Sequence, residues 1–215
     1  MGLTVKASGG SSTFKPVPSG MHLARCYRIV DMGTQITTWK GVSKEQPKVM
    51  LQFEVHSEDA DGNAVVTDKG EPMSISKNFT ASLGENAILR QELENWRSRA
   101  FTPEELKGFQ LKNVLGVWAM LSVVKEQGND GNEYTNISSI NPVSSQIKKA
   151  GLPEGHNELK IFDLENPDMA LFETFGNKIK EKIQSTPEWN KKILPTPKQA
   201  QISSGFDNMD DDIPF

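Results

Sequence analysis

Hydrophobic and polar residues alternate through much of the segment from Met21 to Pro142 with the period of a β-strand. The clearest run is Lys48 to His56, where Val49, Leu51, Phe53 and Val55 take one side and Lys48, Met50, Gln52 and Glu54 the other. Met21 to Met32 mixes apolar and basic residues and stops before Gly33. Between these strands the pattern predicts a polar loop carrying Trp39, Lys40, Lys44 and Lys48. Asp59–Gly62 and Lys69-Gly70 mark turns around a short excursion. Met73 to Thr80 alternates again, Ile75 and Phe79 opposite Ser74, Ser76 and Asn78. Lys112 to Lys125 reads as one long strand, Gly128 to Asn132 as a hairpin, and Tyr134 to Ile140 as the returning strand, ended by Asn141-Pro142.

The period changes twice. Glu85 to Arg99 places Ile88, Leu89, Leu93 and Trp96 at helical spacing, and Thr102-Pro103 opens a second short turn. The spacing also predicts a helix from about Pro167 to Gln184, with Asn166 as N-cap and an apolar stripe of Phe172, Phe175, Ile179 and Ile183. That stripe is expected to pack on the strands or on a second subunit, so a homo-oligomer is compatible with it. Lys178, Lys180 and Lys182 gather where they suit the helix dipole. Three strands, a helix and two strands is the order of a five-stranded OB-fold barrel, although other small α+β folds share it. The expected fold is therefore mainly β: an OB-fold barrel with a helix between strands 3 and 4, a C-terminal helical extension and a disordered acidic tail. The expected boundaries are a flexible arm over 1–19, the barrel over 20–143, the extension over 144–186, and linker and tail over 187–215.

Composition narrows the function classes. A chain of 215 residues with 36% hydrophobic residues can bury a core without staples. One cysteine, Cys26, forms no intramolecular disulfide and fits a reducing cytoplasm. It reads as a half-buried strand residue. No apolar run reaches the ~20 residues of a membrane span, and no apolar signal region opens the chain. Met1-Gly2 suits myristoylation, but Lys6 stands where Ser or Thr is wanted. His22, His56 and His156 have no metal-site spacing, and His56 is expected to be exposed at a strand end. No phosphate loop or nucleophile elbow occurs, so neither catalysis nor a cofactor is expected. The net charge of −4 is matched by Asp207, Asp210, Asp211 and Asp212 alone, which leaves a neutral body. Such a body can still hold a basic groove, because affinity depends on where Lys and Arg sit locally.

The last residues change the picture most. Asp210-Asp211-Asp212 is followed by Ile213-Pro214-Phe215, apolar where a disordered tail has no folding reason to be. A pocket with an apolar floor and an Arg or Lys at its mouth would capture the Phe215 ring and terminal carboxylate together. Pro214 lowers the ordering cost. Asp210 to Phe215 resembles the C-terminal tip of bacterial single-stranded DNA-binding proteins. Ala24-Arg25-Cys26-Tyr27 through Asp31-Met32-Gly33-Thr34-Gln35, with the C-terminal helix, is similar to OB-fold single-stranded DNA-binding proteins encoded by bacteriophages. The resemblances imply a phage protein in the host cytoplasm that coats single strands in replication, recombination and repair. Its tail would recruit partner enzymes in those processes. The bacterial family's tetrameric wrapping does not carry over to this body.

A sequence-independent strand is held by aromatic faces beside cations. Trp39 and Lys40 in the polar loop, with Lys44 and Lys48, form the expected basic rim. Tyr27 with Arg25 and Arg28, Lys77, Trp118 and Tyr134 complete the candidates. Each cation singly is also an ordinary surface charge, and Trp118 suits either a core or an exposed platform. Phe53 and Trp96 read as core, and Arg90, Arg97 and Arg99 as a solvated helix face. Two rivals remain: an adaptor or decoy that uses only the tail, and a magnesium-dependent nuclease, for which no acidic pair at a strand end speaks.

Overall fold

The computed structural model describes residues 15–39, 41–128, 131 and 133–193, with the Trp39 and Ile193 side chains excepted. The chain is mainly β. Strands β1 (Gly20–Trp39), β2 (Val42–Val55), β3 (Ser74–Thr80), β4 (Trp118–Gln127) and β5 (Glu133–Asn141) form an antiparallel sheet ordered β3-β2-β1-β4-β5. A short β6 (Lys160–Phe162) joins β1 in parallel along Arg28–Val30. Helix α1 (Ile88–Arg97) lies between β3 and β4, as the period change predicts. Among the described residues no ladder joins β3 to β5, so the sheet is not closed by backbone pairing.

The inner face carries the main core. Ala24, Cys26 and Ile29 of β1 meet Val49, Leu51, Phe53 and Val55 of β2, Ile75 and Phe79 of β3, and Leu89, Leu93 and Trp96 of α1. Phe53 and Trp96 are buried as expected, and Trp96 Nε1 donates to the Trp118 carbonyl at 2.9 Å. Cys26 is fully buried rather than half-buried, and desolvation pushes its thiol up to about 12. Val17 also enters this core, so the ordered body begins before the expected boundary at residue 20.

A second core lies on the opposite face of β1 and β2. Val30, Met32 and Met50 pack against Phe162, Leu164, Leu171, Phe172, Phe175, Ile183 and Trp189. The apolar stripe therefore does pack on the strands, but through two helices instead of one. Helix α4 (Met169–Glu173) is capped by Asp168, not Asn166, and α5 (Asn177–Gln184) restarts after Gly176. Pro187, expected to open a linker, instead opens α6 (Pro187–Ile193), whose Trp189 stacks on Phe172 with centroids 4.5 Å apart.

Two further expectations shift. The polar segment around Trp39 is the end of a long β-hairpin, since β1 pairs with β2 out to Trp39 and Val42. The strand expected from Lys112 is a 3₁₀ turn over Leu111–Val114 before β4. The short turn expected at Thr102-Pro103 is helix α2 (Pro103–Lys107), capped by Thr102, and an unexpected short helix, α3 (Ser145–Ala150), is capped by Ser144. Among the described residues no helix is long and apolar enough to cross a membrane.

Candidate nucleic-acid interface

An irregularity in β1 shapes the outer face of the sheet. The register shifts between Cys26 and Arg28, so Tyr27 is an extra residue between the core-facing Cys26 and Ile29. Tyr27 and Arg28 thus come to the outer side together. Tyr27 is buried, with its hydroxyl 3.4 Å from Ser74 Oγ. The Arg28 guanidinium lies 5.3 Å from the Tyr27 ring centroid and 5.6 Å from that of Phe175. No carboxylate pairs with it among the described residues. A cation held over aromatic faces without a counter-ion is a ready partner for a phosphate or a base.

Arg28 is opposite Gln52 on β2, and Gln52 is opposite Ser76 on β3. This row crosses three strands, and among the described residues buried Arg28 Nε and Gln52 Oε1 have no hydrogen-bond partner. Neighbouring Ser74 and Asn78 are exposed, so the β3 side of the face is polar and open. At its end Lys48, among the described residues, donates to neutral oxygens alone, Gln46 Oε1 at 2.9 Å and Thr80 Oγ1 at 2.8 Å. Lys44 is exposed on the β1–β2 hairpin. Lys40 and the Trp39 side chain lie outside the described residues, as do Asp210, Asp211, Asp212, Ile213, Pro214 and Phe215.

Other candidate residues are committed elsewhere. Arg25 Nε donates to Glu54 at 2.7 Å, and Glu54 is completely buried. Glu54 also accepts from His156 N at 3.0 Å and from Asn157 N and Nδ2 at 2.6 Å each. His56 Nε2 stands 3.2 Å away, and the side chain is largely buried, not exposed. Burial alone would raise the Glu54 pKa, but hydrogen bonds from Asn157 and Arg25, with the His56 ring close by, outweigh it and hold the carboxyl below its usual range. Gly155 lies so close to Arg25 that a Cβ there would fall 1.7 Å from its guanidinium carbon. This cluster fastens the connection after α3 onto β1 and β2.

Lys77 points to the core side of β3 and pairs with Glu92 of α1 at 2.5 Å. It also donates to the Ser138 carbonyl of β5 at 3.2 Å, while Glu92 accepts from Ile140 N at 2.8 Å. Arg97 and Arg99 form no loose helix face: both bind Glu105, whose carboxyl they and the Thr102 N–H pull down to about 2. Trp118 is half-buried, edge-on to His56 at 5.0 Å, and lines a separate cavity of about 600 Å³ beside Arg97 and Lys148. Tyr134 is 47% exposed on β5. Among the described residues no three His, Cys, Asp or Glu side chains are placed to hold a metal ion.

The structure thus brings together Tyr27, Arg28 and Lys48 and adds Gln52, Ser76, Asn78 and Phe175. The alternation of β2 and β3 places the three polar residues on one face, but says nothing of which polar face stays uncovered. The sequence matches no protein-family model and no curated protein.

Proposed function

We propose that this chain is a non-enzymatic single-stranded DNA-binding protein that coats exposed strands and recruits partner enzymes through Asp210–Phe215. The carrying observation is the Arg28 guanidinium, without a carboxylate partner among the described residues and held over Tyr27 and Phe175, in an outer-face row with Gln52 and Ser76. Bases would stack and pair loosely along this face, with Lys48 and Lys44 tracking the backbone. We read the sheet as an OB-fold barrel whose β3–β5 seam is bridged by side chains. Lys77, Glu92, the Ser138 carbonyl and the Ile140 amide supply the polar link that a ladder would otherwise make. On this reading the outer face of β3, with half-buried Gln52 and Lys48 of β2 beside it, is the binding face such barrels use. The phage origin and host-cytoplasm location belong to the same proposal and rest on the tail and β1 resemblances.

The adaptor reading draws on one observation: Arg25 and Lys77 are neutralised by Glu54 and Glu92, which leaves fewer cations for a strand. Mobility shifts of a short oligo-dT with the full-length protein and Arg28→Ala separate the two. The strand-coating reading expects about tenfold weaker binding in the variant, the scale of one lost stacking contact. Equal binding by both proteins would move the site elsewhere, and no binding by either would favour the adaptor.

A further inference from the structure

Beside the row of Arg28, Gln52 and Ser76 lies a cavity of about 250 Å³ that the sequence does not announce. Gln35, Ile36 and Thr37 of β1, Lys48 of β2, Asn78 of β3 and Lys182 of α5 line it. Two lysines, Lys48 and Lys182, and no Asp or Glu are among its lining residues. Lys48 has only neutral partners, and Lys182 makes no ion pair among the described residues. Two cations that share a recess without a counter-ion raise its potential and favour an anion there.

The position of Lys182 is fixed from behind. Gln35 Nε2 donates to the Lys182 carbonyl at 2.9 Å and to the Met32 carbonyl at 2.6 Å. Glu188 of α6 accepts from Thr34 N at 3.1 Å and Thr34 Oγ1 at 2.5 Å. The end of α5 and the start of α6 are therefore both tied to β1 next to the cavity. A larger cavity of about 570 Å³ shares Lys48 and Asn78 and continues along β3 toward α1. Gln52 and Lys48 are four residues apart on β2, about 13 Å of strand, so the recess lies within reach of a strand stacked at Arg28.

We propose that α5 is a wall of the nucleic-acid groove and that Lys48 and Lys182 together seat one backbone phosphate of the bound single strand. This rests on the outer-face reading above. It gives the helical extension a direct part in binding, beyond covering β1 and β2.

The test is the salt dependence of oligo-dT binding by the full-length chain. Wild type, Lys182→Ala, Lys182→Arg and Lys191→Ala would be compared from about 50 to about 200 mM salt. Lys191 is an exposed cation on α6 outside the cavity. Lys182→Ala is expected to reduce the log–log slope by about 0.7, one single-strand phosphate, so it loses about 2.6-fold less affinity across that range. Lys182→Arg and Lys191→Ala are expected to keep the wild-type slope, with all melting temperatures alike. A wild type that binds while Lys182→Ala keeps its slope, or while Lys191→Ala loses as much, overturns the phosphate seat. A wild type that binds no single strand overturns the underlying reading itself.

Discussion

Glu54 shows how one residue can look like an ordinary strand position in sequence and yet organise the body. It sits on the polar side of β2 by alternation, as Gln52 does, but it is completely buried and receives Arg25, His56 and two backbone amides. Removing its charge while keeping its shape would strand the Arg25 guanidinium. Glu54→Gln is therefore expected to lower stability by about 3 kcal/mol, seen as an earlier midpoint in urea unfolding. The pH dependence has a definite sign. The folded carboxyl lies below its usual value of 4.5, so its contribution is complete above that pH and is lost as pH falls through the folded value. Wild type should lose more stability than Glu54→Gln on acidification below about pH 4.5; parallel losses would show that the cluster contributes nothing. Neither Arg25's commitment nor Arg28's freedom was legible in the sequence. Both are basic residues beside aromatic or thiol neighbours in one strand, and only the extra residue at Tyr27 and the distant Glu54 separate their roles.

The elements were read better than their ends. Alternation located β2 and β3 and the 3.6 period located α1, because each buries one continuous side in the main core. The extension was harder. Phe172, Phe175, Ile179 and Ile183 fit one helix, but Thr174 to Gly176 interrupts it, and Phe175 in the gap packs edge-on against Phe162 with centroids 5.2 Å apart. Pro187 carries opposite meanings, linker breaker or first helical residue, and only the burial of Trp189 decides between them. Trp189→Ala is expected to destabilise the second core by about 3–5 kcal/mol and to make residues 160–193 the first site of limited proteolysis. Cleavage elsewhere first would mean the extension holds without that ring. Gly33 marks the other contact: its φ of +64° and a Cβ site 2.8 Å from Thr186 leave no room for a side chain. Gly33→Val should therefore shift the melting temperature down by several degrees.

At the scale of the whole molecule, the two cores divide the sheet's outer surface. The extension covers β1 and Met50 of β2 and leaves an open polar edge along β3, with half-buried Gln52 and Lys48 beside it, Arg28 toward one end and Lys48 and Lys182 toward the other. A neutral body can present such cations because other charges are held in pairs such as Lys77–Glu92 and Arg97–Glu105. The four aspartates near the C-terminus would compete for the same cations. A chain lacking residues 206–215 is expected to bind oligo-dT several-fold tighter at low salt, with the difference fading as salt screens the tail. Unchanged affinity would remove the competition. The most direct measurement is a fluorescence titration of the full-length protein with a single strand of about 30 deoxythymidines and with the matching duplex, at two salt concentrations. Tight binding to the single strand over the duplex, weakened by salt, is the expected result. Equal affinity for both, or no binding to either, would contradict the assignment of this face to single-stranded DNA.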